Sequence, residues 1–116
     1  LNWQLTDRRA RLAETTTTAP SYRFYALPGG PPERPGLVRV PQGGAAIDVE
    51  VWHVPASEFG SFVAGIPAPL GIGKLELADG REVPGFIAEP IAMEGATDIT
   101  DLGAWRAYLA RTAGPT

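Results

Sequence analysis

The sequence predicts an α+β domain: a mainly antiparallel or mixed, curved sheet forming a partly closed β-barrel, with two short helices. Three observations predict it. Apolar and polar residues alternate through Ala45–Val54, where Ile47, Val49 and Val51 share one face and Asp48, Glu50 and Trp52 the other, the period of a sheet with one face in the core. The remaining strand-like runs come as neighbours, without a strand–helix–strand rhythm. Finally, 14 glycines and 12 prolines among 116 residues cut the chain into short pieces, gathered at Pro28–Pro35, Gly65–Gly73 and Asp79-Gly80. That length makes one domain, residues 1–116, with no room for a second core.

Each element has its own signal. Leu1–Arg9 is polar with apolar anchors and reads as a loop or one helical turn. Arg11–Ala19 carries four β-branched threonines, Thr15–Thr18, and predicts an exposed strand ending at Pro20. Ser21–Leu27 is an aromatic-rich strand closed by Pro28-Gly29-Gly30-Pro31-Pro32. Gly36–Val40 is a short third strand, and Ala45–Val54 the fourth. Phe59, Phe62, Val63 and Ile66 fall at i, i+3, i+4 and i+7, which predicts an amphipathic helix over about Ala56–Ala64, stopped by Gly65 and Pro67.

Lys74–Leu77 and Arg81–Ile87 flank Ala78-Asp79-Gly80, a strong hairpin signal, and Pro84 requires an edge position or a bulge in the second strand. Thr100 is placed to cap a last helix, Asp101 to about Arg111, with Leu102, Trp105 and Leu109 as its buried stripe and Gly114-Pro115 beyond its end.

Composition excludes several functions. With no cysteine there is no disulfide, thiolate nucleophile, iron–sulfur cluster or thiolate zinc site, and one histidine cannot build a multi-histidine metal centre. No metal and no cofactor is expected. The net charge is −3, and the ten basic groups, all arginine except Lys74, cluster only at Arg8, Arg9 and Arg11. That falls short of a nucleic-acid-binding stripe. The longest uncharged run, Phe59–Gly73, is too short to cross a bilayer and holds two prolines. No signal peptide is recognisable, and a cytoplasmic location is the expectation. The chain opens on Leu1, as a fragment or a numbering that starts inside a longer protein would.

The chemistry is therefore left to carboxylates, arginines, tyrosine and backbone. Glu50 is the leading carboxylate: on a half-buried face beside Trp52 and Asp48 it can act as acid or base, whereas on a solvated face it does nothing special. Arg23 and Arg39, on adjacent strands, can bind an anionic substrate or pair with acids such as Glu50 or Asp48. Tyr25 is a second candidate proton carrier. Leu70, Gly71, Ile72 and Gly73 form an apolar, glycine-containing run whose backbone can approach a ligand, or a hydrophobic loop over one barrel end. Gly71-Ile72-Gly73-Lys74 is no phosphate loop, because Leu75 follows where Ser or Thr is required. His53, in the best strand, reads as structural, sharing a face with Val49 and Val51.

Several runs resemble, in order and over nearly the whole chain, the C-terminal domain family of allophanate hydrolase. They are Leu1-Asn2-Trp3-Gln4-Leu5-Thr6, Thr18-Ala19-Pro20, Tyr22-Arg23-Phe24-Tyr25-Ala26-Leu27-Pro28-Gly29, Pro35-Gly36-Leu37-Val38-Arg39, Ile47-Asp48-Val49-Glu50-Val51-Trp52, Ile66-Pro67-Ala68-Pro69-Leu70-Gly71-Ile72-Gly73, Gly85-Phe86 and Ala96-Thr97-Asp98-Ile99-Thr100. The resemblance implies a gamma-glutamylcyclotransferase-like fold. It also implies a place in urea degradation, where an amidase domain hydrolyses allophanate and this domain assists decarboxylation of the N-carboxycarbamate released. Nothing here resembles the amidase domain. The family's opening strand, with its histidine, precedes the Leu-Asn run, so the chain is expected to lack that strand, and the histidine's role is not transferred to His53. The acid of true cyclotransferases would align near Gly65–Pro67, where no acid stands.

Two readings follow. In the first, the domain binds a small anionic metabolite, an N-carboxycarbamate relative, at the barrel mouth. The backbone of Leu70–Gly73 with Arg39 or Arg23 holds the carboxylates, and Tyr25 or Glu50 moves a proton. In the second, it is a non-catalytic small-metabolite-binding or oligomerisation module, with Trp3, Trp52 and the Pro67–Ile72 loop as its surface. The partners expected are the amidase domain, if the chain is a fragment, and a second copy, if it is a homodimer. Neither nucleic acid nor membrane is expected.

Overall fold

The computed structural model describes residues 5–28 and 33–113. Among the described residues the elements run in the order β1 (Arg11–Thr17), β2 (Tyr22–Leu27), β3 (Arg34–Arg39), β4 (Asp48–His53), α1 (Ala56–Ala64), β5 (Leu70–Glu76), β6 (Glu82–Ala88), β7 (Thr97–Asp98) and α2 (Trp105–Ala113). Two 3₁₀ turns, Pro90–Met93 and Thr100–Leu102, flank β7. The α+β class is as predicted, every ladder is antiparallel, and α1 spans the residues its apolar spacing predicts.

No closed barrel forms among the described residues. The ladders make three sheets, β1-β4, β3-β2-β7 and β5-β6, with isolated bridges at Thr18–Leu77 and Tyr22–Ala45. Two prolines explain one gap. β3 and β6 lie side by side without a ladder. Val40 N–H bonds Ser21 O, and Phe24 turns its backbone to Ile99 and Thr100. By alternation Pro35, opposite Ala26, turns its nitrogen away from β2. Leu77 N–H bonds Arg81 O, so Pro84, opposite Lys74, turns its nitrogen away from β5. Both facing edges thus lack a donor where a ladder needs one. Pro84 sits on an edge, as expected, with no bulge in the β5–β6 register.

Three elements differ from the sequence reading. Leu70–Gly73 is not a loop but the start of β5, paired with Gly85–Ala88. Glycine weakens a strand signal, yet Gly73 accommodates a neighbour: a Cβ there would sit 2.5 Å from Ile87 Cδ1 across the ladder and make that side chain shift. The last helix begins at Trp105, not Asp101. Thr100 does not cap it, because its hydroxyl accepts Phe24 N–H at 2.9 Å and donates to Asp98 Oδ1 at 2.6 Å. Of the expected stripe, Leu102 and Trp105 pack against the core, but Leu109 is exposed and Tyr108 is buried in its place. His53 is exposed at the end of β4 opposite Arg11, so it is no core histidine. The Pro28–Pro32 break lies, from Gly29 onward, outside the described residues, as does Trp3.

The main core gathers Tyr22, Phe24, Leu37, Ile47, Leu75 and Leu77 between the three sheets, with Ile99 and Tyr108 on its flank. A smaller one joins Leu5, Ala10 and Phe62 to Trp52, Ile66 and Phe86. Gly44 lets the segment before β4 cross β2: a Cβ there would lie 2.6 Å from the Ser21 and Tyr22 backbone.

Candidate functional site

Between β4 on one side and β5–β6 on the other opens a cleft of about 1370 Å³. Its floor is the main core, through Phe24, Leu37, Ile47 and Leu77. α1 bounds it, with Phe62 edge-on to Phe86 at 5.7 Å, and so do Trp105 and Arg106 at the start of α2. Trp105 is held by stacking on Tyr108 at 5.0 Å and by an edge contact to Phe24 at 6.2 Å.

Glu50 projects from the middle of β4 and lines this cleft. Its Oε1 accepts the Trp52 indole N–H at 3.2 Å, from a side chain two residues along the same face. Its Oε2 lies 3.7 Å from Arg106 Nη2. The Glu50 side chain is 33% exposed and that of Arg106 is 88% exposed, so this pair is loose and contributes little to stability. Asp48 lines the cleft too, its backbone N–H pinned to Gly103 O at 2.7 Å. A carboxylate, an indole donor and an exposed cation thus meet at the rim of an apolar cavity. That set can hold a carboxylate and relay a proton.

The other sequence candidates lie elsewhere. Arg23 and Tyr25 stand on β2 on the face opposite the buried Tyr22, Phe24 and Ala26. Arg23 donates to Gly43 O at 2.8 Å and to Asp98. The hydrogen bond to Asp98 holds the Arg23 guanidinium above its ordinary pKa. Desolvation pulls Asp98 upward, but hydrogen bonds from Thr100 and Arg23 outweigh it and hold its carboxyl below the usual carboxylate range. Arg39, at the far end of β3, reaches Glu76 at 2.6 Å. Both arginines are therefore paired, with Asp98 and Glu76 rather than with Glu50 or Asp48. Of Leu70, Gly71, Ile72 and Gly73, only Ile72 lines the cleft.

The sequence reading did not single out Arg106 or Trp105 as site residues. Their signal was weak: both fall inside a predicted helix, and only tertiary packing turns α2 toward Glu50. Among the described residues no three carboxylate or imidazole groups gather as a metal site. Among the described residues, no helix is long and apolar enough to cross a membrane.

Comparison with known proteins bears on this geometry. The profile of the family described as "Allophanate hydrolase C-terminal domain" matches residues 1–110. A urea amidolyase of Saccharomyces cerevisiae is 43% identical over 112 residues, which cover 93% of this chain and 6% of that protein. The solved allophanate hydrolase of Kluyveromyces lactis superposes with a TM-score of 0.93 at 41% identity, covering 97% of this chain and 19% of that one. A solved protein specific to uropathogenic E. coli superposes at 0.87 with 37% identity, covering 95% of this chain and 84% of that one. The chain thus spans about 6% of the curated relative's length, yet most of a small protein of the same fold.

Proposed function

The chain belongs to the allophanate hydrolase C-terminal domain family, and from that premise we propose that it assists decarboxylation of the N-carboxycarbamate an amidase domain releases. In that step the bond between nitrogen and one carboxyl carbon breaks, carbon dioxide leaves, and the electron pair left on nitrogen takes a proton. Such a reaction is favoured where the carboxylate leaves water for an apolar cavity and a proton donor stands beside the nitrogen.

The single observation that carries the reading is Glu50 at the rim of the apolar cleft, with Trp52 and Arg106 on its two oxygens. Arg106 holds the dianion, the floor excludes water from the departing carboxyl, and Glu50, oriented by the Trp52 indole N–H, relays the proton. Arg23, Arg39 and Tyr25 stand outside the cleft, and their part in this reading is structural. A gamma-glutamylcyclotransferase-like fold and a cytoplasmic location belong to the same reading.

The test supplies N-carboxycarbamate from a separate amidase domain and follows carbon dioxide release with and without this chain. Release faster than the spontaneous rate, lost in Glu50→Gln, is expected. A rate equal to the spontaneous one removes the proposal. Of the second reading, a non-catalytic small-metabolite-binding or oligomerisation module, the cleft volume favours the oligomerisation form, because about 1370 Å³ exceeds the roughly 300–1,000 Å³ that encloses a small molecule.

A further inference from the structure

On the β3-β2-β7 sheet, Arg23 pairs with Asp98, and Arg39 reaches out to Glu76. Arg34, at the start of β3, is different. It is half-buried, it forms no ion pair among the described residues, and its Nη1 is buried with no hydrogen-bond acceptor. A guanidinium carries a permanent charge and five donors, so a buried nitrogen left unbonded costs stability and needs an explanation. A cavity lies beside it. Arg34 faces Leu27 across the β2–β3 ladder, which puts both side chains on one face of the sheet. Gly36, two residues along, leaves the space that Leu27 takes: a Cβ there would lie 3.1 Å from Leu27 Cδ2. Leu27 in turn lines a cavity of about 330 Å³ with Pro28, Pro69, Ile91 and Glu94. This cavity shares no lining residue with the large cleft. Its walls are held in place. The two prolines have a locked φ, and Glu89 N–H ties the Pro90–Met93 turn to Pro69 O at 2.8 Å. Gly95, at φ 75°, brings the Glu94 turn against Pro28. The Glu94 side chain is exposed and forms no ion pair among the described residues.

We propose that this cavity binds a small zwitterion with an aliphatic body, an amino-carboxylate, at a site separate from the decarboxylation cleft. The ligand's carboxylate takes the Arg34 guanidinium, which suits that planar anion. Its ammonium takes Glu94, and its carbon chain covers Leu27, Pro69 and Ile91. Both charges are needed. A lone anion meets the charge of Glu94, and a lone cation leaves Arg34 unpaired, so neither satisfies the two ends together. The volume lies within the roughly 300–1,000 Å³ of small-molecule sites, at the end that suits a compact ligand. Walls fixed before binding leave little to order when the ligand arrives.

The test titrates the isotope-labelled chain, followed by amide resonances, with L-leucine and ε-aminocaproate, whose two charges are set at different spacings. Isovalerate and isopentylamine, with one charge each, are the controls. At least one zwitterion is expected to shift the amides of Leu27, Ile91 and Glu94, and to bind at least about tenfold tighter than either control. Arg34→Met keeps the aliphatic stem and removes the charge. It is expected to weaken that binding at least about tenfold and to raise the Tm of the unliganded chain, because an unpaired buried charge is gone. Glu94→Gln is expected to weaken the binding with Tm unchanged, since the side chain it alters is exposed. No shift from either zwitterion, or equal binding of a singly charged control, overturns the proposal. So does a lower Tm in Arg34→Met, which shows the guanidinium bonded within the fold. Shifts confined to the amides of Glu50 and Ile72 also overturn it, by placing the ligand in the cleft. Carbon dioxide release plays no part in these readouts, so they fail or succeed independently of the decarboxylation reading.

Discussion

Two regions of this molecule use the same residue types to opposite ends. At the β2–β7 edge, Arg23, Asp98 and Thr100 form a closed network: Asp98 accepts from Arg23, from the Thr100 hydroxyl and from Thr100 N–H, and the hydroxyl takes Phe24 N–H. At the cleft rim, Glu50 has one indole donor and one distant, exposed arginine. The first arrangement joins β2, β7 and the turn before α2 into one body, its groups committed to one another. The second leaves an exposed guanidinium and a carboxylate oxygen loosely held. Fully satisfied polar groups build the fold, while loosely held ones beside apolar surface can serve chemistry.

Three substitutions on the structural side break that comparison in order of size. Leu77 is fully buried where the Thr18 bridge ties β1 to the β5–β6 hairpin, so both regions rest on it. Leu77→Ala is expected to lower stability by about 2–5 kcal/mol, read from the urea midpoint at unchanged slope. Thr100→Val keeps the shape of a 4%-exposed side chain but leaves Phe24 N–H without its acceptor. The expected loss is about 1–3 kcal/mol, and a loss within error of zero would show the network to be decorative. Asp98→Asn addresses pH. The folded carboxyl sits below its unfolded value, so its contribution is present above the ordinary carboxylate range and is lost as pH falls through the depressed folded value. The Asn variant is expected to show a shallower fall of Tm on acidification than the parent, and parallel curves would contradict the assignment.

What the sequence could and could not show divides along the same line. Local periodicity revealed α1, β2, β4 and the Asp79-Gly80 hairpin, because each buries one face and its spacing is written in the chain. The start of β5 was hidden because Gly71 and Gly73 mimic a loop, and the neighbour that Gly73 accommodates, Ile87 across the ladder, is visible only in three dimensions. The barrel was over-read because curvature follows from many short strands, whereas closure depends on which edges keep their donors. Pro35 and Pro84 remove them from facing edges. Thr100 has the chemistry of a helix cap, but a strand backbone 76 residues away in sequence is its stronger partner. At the site, alternation placed Glu50 on the face of Trp52, and the structure brings both to the cleft rim. Arg23 and Arg39 could not be told from ligand-binding arginines, since the acids that pair with them, Asp98 and Glu76, come from distant strands.

The smallest expected effect on stability is the most informative about the cleft. Glu50→Gln keeps the side-chain shape and an oxygen for the Trp52 indole, and it loses only the interaction with an arginine that is 88% exposed. Arg106→Ala removes the same contact from the other side. Each is expected to shift stability by no more than about 0.5 kcal/mol. The double variant should equal the sum of the two within error, since a pair 3.7 Å apart in solvent carries little coupling. A loss above about 1 kcal/mol in either single variant, or strong coupling in the double, would place Glu50 in a structural network like that of Asp98. The contrast between a closed edge and an available rim would then collapse. Small changes in stability accompanied by loss of carbon dioxide release in Glu50→Gln would separate the residue's chemical role from the fold that presents it.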